Sequence, residues 1–250
     1  MGNQAIIQAR RVTAAYGDEI ILEDISFEVG RGEVFVILGG SGSGKSTLMK
    51  HLIGLYPLAS GEVLIDGENI ATATGAKRQR ILRKFGVAYQ SGALFGSMTL
   101  GENVTLPIEE FTKLPLAARE VISWMKLKLV GLEGFENHLP GEVSGGMQKR
   151  AAIARAMALD PAVLFLDEPS AGLDPVTSAE LDALILELRN ALGMTFVIVS
   201  HELASIYAVA DRVIMLDKSK KGIIAEGSPQ ELRDQSTDPY VRRFFRREAE

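Results

Sequence analysis

Apolar positions recur along this chain with two periods, one of strands and one of helices. Ala5-Ile6-Ile7 and Ile20-Ile21-Leu22 are short apolar runs separated by the turn residues Tyr16-Gly17-Asp18. Ile25-Ser26-Phe27-Glu28-Val29 alternates apolar and polar, the pattern of a half-buried strand. After the turn Gly30-Arg31-Gly32, every residue from Val34 to Leu38 is apolar, which predicts a buried strand. Gly61 to Gly67 reads as a short strand closed by turn residues. From about Phe95 to Asp160 the period becomes helical. Pro115 predicts a helix start, with Val121, Ile122, Met125 and Leu129 at helical spacing and Trp124 and Met125 in the core or at a subdomain interface. A second helix is expected over Ser144–Leu159, ending before Asp160-Pro161. Ala162–Leu166 returns to the strand pattern. Thr177–Leu192 follows as an amphipathic helix, with Leu181, Leu184, Ile185, Leu188 and Leu192 on one face and Gly193 as its stop. Thr195–Val199 is another buried strand. Strands alternating with helices imply an α/β fold with a largely parallel sheet.

Composition changes this picture little. A chain of 250 residues with 46% apolar content can bury a substantial core. Its net charge of −5 argues against sequence-independent nucleic-acid binding, which needs a basic surface. It has no cysteine, which excludes disulfides and thiolate metal sites and fits the cytosol. The opening segment lacks an apolar signal core, and no run of roughly 18–20 apolar residues predicts a membrane span. Any work at a membrane is therefore expected to go through a partner.

Candidate chemistry begins where the Val34–Leu38 strand ends. Gly39-Gly40-Ser41-Gly42-Ser43-Gly44-Lys45-Ser46-Thr47 has the spacing G-x-x-x-x-G-K-[ST] between a predicted strand and a predicted helix. Glycines let backbone N–H groups turn inward, and the helix N-terminus adds positive potential, so the segment predicts a phosphate cradle. Lys45 would reach the β- and γ-phosphates and Ser46 would complete a Mg²⁺ shell. The strand Ala162–Leu166 runs into Asp167-Glu168, two acids that point in different directions because side chains alternate along a strand. Asp167 is expected on the metal side and Glu168 on the side of a water aimed at the γ-phosphate. Ser144-Gly145-Gly146-Met147-Gln148 opens a helix with a good N-cap and could bind a second phosphate. That leaves two sites, or one site shared between protomers.

These motifs, in this order, resemble the ATP-binding-cassette (ABC) ATPases over nearly the whole chain. VSGGMQ is similar to that family's signature, FLDEPSAGLDP to its Walker B and D-loop, Val199-Ser200-His201-Glu202 to its switch-histidine region, and Val87-Ala88-Tyr89-Gln90 to its Q-loop. Tyr16 stands where the family places an adenine-stacking aromatic. The resemblance implies a P-loop NTPase core over about 1–94 and 159–237, with an N-terminal antiparallel β region. It also implies a helical subdomain over about 95–158 and a C-terminal helical tail over 238–250. ATP and Mg²⁺ would bind in a head-to-tail homodimer, each ATP held between the Lys45 loop of one chain and Ser144, Gly145 and Gly146 of the other. Thr47 would sit by the α-phosphate. Gln90 would contact Mg²⁺ or the attacking water and report to a membrane partner, and His201 would contact the γ-phosphate. Asp174 is placed to N-cap the Thr177–Leu192 helix ahead of Pro175, and the family places that aspartate at the dimer interface. His51 and His138 carry no motif and read as ordinary helix or surface residues.

Two departures stand out. Gly40 replaces a common proline, which removes no loop N–H, and Met147 replaces the usual signature glutamine. SGGM together with Gln90-Ser91-Gly92-Ala93-Leu94-Phe95, Glu102-Asn103-Val104, Pro107 and Ile108 resembles the ATPases of MCE-type phospholipid-trafficking systems, the Mla-like branch. That likeness implies a multi-pass permease dimer, an MCE substrate-binding protein and a peripheral place on the cytoplasmic face of the bacterial inner membrane, with no direct lipid contact. Ala93-Leu94-Phe95 would be either a coupling contact or a loop tucked into the core. The tail DPYVRRFFRREAE would either pack on its own domain or bridge the dimer. A soluble ABC factor would be expected to carry two cassettes or a long coiled-coil insert. An inactive cassette would be expected to lack Lys45, Asp167, Glu168 or His201.

Overall fold

The computed structural model describes residues 5–247. Its strands are β1 (Ala5–Tyr16), β2 (Glu19–Gly30), β3 (Val34–Gly39), β4 (Ser60–Ile65), β5 (Glu68–Asn69), β6 (Phe85–Ala88), β7 (Val163–Asp167), β8 (Thr195–Val199), β9 (Arg212–Asp217) and β10 (Gly222–Gly227). The helices are α1 (Lys45–Leu52), α2 (Gly75–Leu82), α3 (Leu100–Phe111), α4 (Leu116–Leu129), α5 (Gly145–Ala156), α6 (Pro175–Leu192), α7 (Leu203–Val209), α8 (Pro229–Gln235) and α9 (Pro239–Arg246). No helix among the described residues is long and apolar enough to cross a membrane.

Two sheets result. The N-terminal sheet is antiparallel, in the order β2-β1-β4-β5. The short apolar runs of the opening segment are parts of a single long hairpin, since β1 and β2 pair across Tyr16↔Glu19 with register shifts that let each strand bend. The second sheet has the order β10-β9-β3-β8-β7-β6 and is parallel except for β10.

Side-chain alternation along the parallel strands divides the interior in two. Val34, Val36 and Leu38 of β3 pack with Leu164, Leu166, Phe196 and Ile198 on the face covered by α3, α5 and α6. Phe35 and Ile37 pack with Val163, Phe165, Val197 and Val199 against the antiparallel sheet and α1. Burial on both faces is why these strands read as unbroken apolar runs. Each such side chain contributes roughly 1.5–3 kcal/mol by leaving water.

Helix ends follow their local chemistry. Asp174 caps α6, accepting from the backbone N–H of Val176 and Thr177, with Pro175 in the first turn and Gly193 left-handed at the C-cap. Thr99 and Glu102 form a reciprocal capping box on α3. The face of α4 differs from the expected one. Val121 and Met125 are 57% and 52% exposed, and Trp124 and Leu129 are also exposed, while Ser123, Lys126 and Leu127 are buried. Lys126 lays its aliphatic stem inward and carries its ammonium to Asp160, so a charged residue occupies the face that apolar spacing assigned elsewhere. α4 thus presents an apolar stripe outward.

Candidate functional site

The segments singled out in the sequence leave the sheet at the same edge. β3, β6, β7 and β8 are mutually parallel, so their carboxyl ends deliver Gly39–Ser46, Gln90, Asp167-Glu168 and Ser200-His201 to one crevice. A cavity of about 570 Å³ there is lined by residues 39–47, Gln90, Glu168, His201 and Phe244.

The loop is built for close approach. Gly39 has φ of 150°, and a Cβ at this position would lie 2.4 Å from the Leu216 carbonyl oxygen, so only glycine passes. α1 begins at Lys45 with no side-chain cap and no acid in its first turn, leaving its first N–H groups for an anion. Ser43 Oγ is buried without a hydrogen-bond partner, a polar atom suited to a phosphate oxygen. Lys45 Nζ donates to the carbonyl oxygens of Gly39 at 2.9 Å and Gly40 at 3.2 Å, folded back over the mouth of the loop.

Ser46 Oγ donates to Asp167 Oδ1 at 3.0 Å. A hydroxyl beside a carboxylate is a hard-oxygen pair of the kind that suits Mg²⁺. Burial holds the Asp167 carboxyl above its usual range, the Ser46 hydrogen bond opposes this, and the neighbouring Glu168 charge adds to it. A bound cation would reverse that shift. Glu168 sits in a left-handed backbone conformation, φ 47°, unusual for a residue with a side chain. Its N–H is fixed to the Val199 carbonyl at 2.8 Å, and its Oε1 lies 2.8 Å from His201 Nδ1. The buried acid and the exposed histidine are thereby presented together.

Tyr16 ends β1 beside the loop, exposed, with its hydroxyl 3.4 Å from Thr47 Oγ1. Tyr56 stands edge-on to it at 5.4 Å and His51 lies 6.2 Å away. His51, expected to be unremarkable, is buried with Nδ1 2.8 Å from the Thr47 carbonyl, so it supports this aromatic platform from below. His138 stays outside the site and is half-buried.

Ser144, Gly145 and Gly146 open α5 but do not line the cavity of their own chain. Ser144 caps α5 through the Met147 N–H. A Cβ on Gly146 would meet Thr177 Cγ2 at 2.5 Å, so this glycine admits α6 of the same chain. Met147 packs against the core on the α5 side. Asp174 is exposed, its carboxylate held below the usual range, first by the Thr177 hydroxyl and then by backbone N–H groups.

Several residues at the site carry no motif signal. Lys149 of α5 donates to the Gln90 carbonyl and, at 3.5 Å, to that of Glu168, tying both segments to the helix that Ser144 caps. Arg155 holds the carbonyls of Gly92 and Ala93 at 2.8 and 2.7 Å. Lys218, just past β9, brings Nζ to 4.0 Å from where a Gly42 Cβ would lie. Phe244 comes from α9. All four meet the site only through folding, so spacing along the chain could not reveal them.

Behind His201 a small cavity is lined by Ser170, Asp182, Ser200 and Ser205 among others. Asp182 is pushed up to about 6, chiefly by burial, with the Ser205 hydrogen bond opposing and Glu202 adding. Between the unfolded aspartate value and this one, the unfolded chain loses a proton that the folded chain keeps, so stability falls as pH rises through that window. Asp182→Asn is expected to raise the Tm at pH 8 by ~2–4 °C, about 1 kcal/mol after solvent screening, and to change it little near pH 4. Melts at both pH values check this. Equal shifts would exclude ionisation as the cause.

Residues 22–171 match the family model described as ABC transporter (ABC_tran). The chain is 42% identical over 239 residues to the probable ribonucleotide transport ATP-binding protein mkl of Mycobacterium leprae (strain TN), covering 96% of this chain and 68% of that protein. It is 41% identical over 240 residues to the intermembrane phospholipid transport system ATP-binding protein MlaF of Escherichia coli (strain K12), covering 96% and 88%. Among solved structures, cbiO1 from Clostridium perfringens, part of the ABC transporter complex cbiONQ, superposes with a TM-score of 0.83 at 30% identity over 92% of this chain and 91% of that one. The ATP-binding cassette MJ0796, in a dimeric post-hydrolysis state bound to ADP and Pi, gives 0.79 at 31% identity over 89% and 98%. With the cradle, the paired acids and the histidine on one sheet edge, the chain belongs to the ABC transporter family, as an ATP-binding and ATP-hydrolysing subunit.

Proposed function

We propose that this chain is the motor of a phospholipid-trafficking ABC system, closing head-to-tail on a second copy around two ATP molecules and driving a multi-pass permease dimer served by an MCE substrate-binding protein. It would work at the cytoplasmic face of the bacterial inner membrane without touching lipid. What carries the catalytic half of this reading is the convergence of Lys45, Gln90, Glu168 and His201 on one cavity. The cargo half rests on the likeness to MlaF over 96% of the chain. The relative named for ribonucleotide transport is equally similar but longer, and favours a second reading with a nucleotide cargo.

In the first reading, Lys45 leaves the Gly39 and Gly40 carbonyls for the β- and γ-phosphate oxygens, and Thr47 lies by the α-phosphate. Ser46, Asp167 and Gln90 would hold Mg²⁺, which when bound would neutralise charge building on those oxygens. Glu168 orients a water toward the γ-phosphorus and takes its proton as the bond to ADP breaks. His201, hydrogen-bonded to Glu168, keeps that carboxylate aimed and faces the γ-phosphate. Tyr16 stacks on adenine. Ser144, Gly145 and Gly146 of the second copy close the site, with Asp174 at the interface. The core of residues 1–94 and 159–237 then moves against the helical segment 95–158. Its outward face, with Phe95, Val121 and Met125 about half exposed, is where the permease would dock.

Lys45→Ala is expected to weaken ATP binding by roughly 10–100-fold, the value of a lost charge-assisted contact, as read by calorimetry with a non-hydrolysable analogue. Unchanged affinity would remove the cradle from the mechanism. Co-purification with the membrane permease, then mass spectrometry of the bound cargo, tests the rest. A glycerophospholipid supports the reading, and a nucleotide cargo replaces it with the alternative.

A further inference from the structure

We infer that the C-terminal helix α9 belongs to the nucleotide site, with Tyr240 and Phe244 bracing the phosphate loop as positioning residues for ATP. This rests on the reading of residues 39–47 as the ATP cradle. It concerns a part of the chain beyond the family match, which ends at residue 171.

The first half of the loop, Gly39-Gly40-Ser41-Gly42, carries a single side chain with which to hold itself. One flank is fixed, because Gly39 pairs with Leu216 of β9 and the Ser43 N–H returns to the Gly40 carbonyl at 3.2 Å. The other flank faces α9. Phe244 lines the cavity together with the loop, Glu168 and His201. The Tyr240 hydroxyl lies 3.2 Å from where a Cβ on Gly40 would stand, and, the chain neighbours of Gly40 aside, no other atom of the described residues comes within 4 Å of that point. Gly40 has no left-handed φ, so backbone conformation does not demand glycine here. What its missing side chain provides is room for the Tyr240 hydroxyl.

Tyr240 and Phe244 are four residues apart and share a face of the helix. The adjoining face anchors α9 to its own chain. Val241 and Phe245 are 0% and 2% exposed, inside the same core as β3 and α6. Asp238 caps the helix through the Tyr240 and Val241 N–H groups at 2.8 and 3.4 Å. Tyr207 of α7 donates its hydroxyl to the Phe245 carbonyl at 3.0 Å, and the two rings meet at 6.1 Å. α7 follows His201 directly, so a single packed unit joins the phosphate loop, the tail and the histidine segment. This anchoring packs residues 239–246 of the tail on their own domain. Residues 248–250 lie outside the described residues. A glycine-rich loop held on both sides has less freedom to lose when phosphate binds, which strengthens binding without a new ligand contact.

The test uses the full chain with Tyr240→Ala/Phe244→Ala, Phe244→Leu, and Arg242→Ala on the exposed side of the same helix as control. In the double variant the KM for Mg-ATP is expected to rise about tenfold while kcat stays within about twofold. In nucleotide-free protein, amide exchange over residues 39–44 should accelerate, a readout that general loss of stability spreads over the chain instead. Phe244→Leu should restore most of the KM, and Arg242→Ala should leave it unchanged. Should the double variant fail to fold, Gly40→Ala approaches the same contact from the loop side: its rise in KM should be relieved by adding Tyr240→Phe, which removes the crowded oxygen. Folded variants with wild-type KM and wild-type loop exchange would overturn the brace. A wild-type chain that bound no ATP would overturn the cradle instead, and the exchange data on the loop would still report on α9 by themselves.

Discussion

Glu168→Gln is expected to keep ATP bound while cutting turnover at least ~100-fold, the lower bound for losing a positioned general base. That loss corresponds to about 2.7 kcal/mol or more of barrier. The amide keeps the shape of the side chain and can still meet His201 Nδ1, which lies 2.8 Å from Oε1, so the site should stay assembled. What disappears is the carboxylate that accepts the proton of the attacking water. Because the strained φ of 47° at this residue is set by the backbone anchor to Val199, the substitution should leave the fold intact. Steady-state hydrolysis beside equilibrium binding of ATP, with dimer mass by light scattering, checks all three statements. ATP trapped without turnover should also hold the protein as a dimer. A variant with normal turnover would take the general-base role away from Glu168.

The largest expected effect on stability comes from a residue with no chemistry. Gly86 lies in β6 where the strand crosses the end of α5, and a Cβ there would sit 1.9 Å from the Ala156 carbonyl oxygen and 2.6 Å from its carbon. Those are backbone atoms, so no rotamer change relieves the clash. Strand and helix must separate. Gly86→Ala is expected to cost about 3 kcal/mol, the upper end for overpacking, and to lower the Tm by ~6–12 °C. Thermal and denaturant melts check this. A change under 1 °C would mean that β6 and α5 are less tightly joined than they stand here. The consequence for function follows from what the two elements carry. β6 leads into Gln90 and α5 starts at Ser144-Gly145-Gly146, and Lys149 of α5 grips the Gln90 carbonyl. The fraction of Gly86→Ala that still folds should therefore hydrolyse ATP poorly even where its cradle is unchanged.

Much of the candidate site was legible because its residues act through local geometry. A buried strand, a glycine turn and a helix start are specified within about a dozen neighbouring residues, so Gly39–Thr47 could be read as a cradle before any tertiary contact was known. The same holds for Asp167-Glu168 at a strand end and for Asp174 as a cap. Where the reading failed, the signal was ambiguous in kind. In α4 the helical spacing of Val121, Met125 and Leu129 describes an apolar stripe but not which side of the helix the core lies on. Lys126 took the inner position because Asp160, distant in sequence, was there to receive its ammonium. His51 and Tyr56 joined Tyr16 for a similar reason, through rings brought together by the crossing of β1 over α1.

By itself, then, the sequence determined the alternation of strands and helices, the parallel sheet and the order of phosphate-site segments along the chain. These follow from periodicity, turn residues and capping, whose energies are settled between near neighbours. Only the tertiary structure decided that β3, β6, β7 and β8 end at one crevice, that α4 turns its apolar stripe outward, and that α9 lies against the phosphate loop with Phe244 lining the same cavity as His201. Those outcomes depend on which distant surfaces exclude water from one another, and that competition is resolved only when the whole core closes.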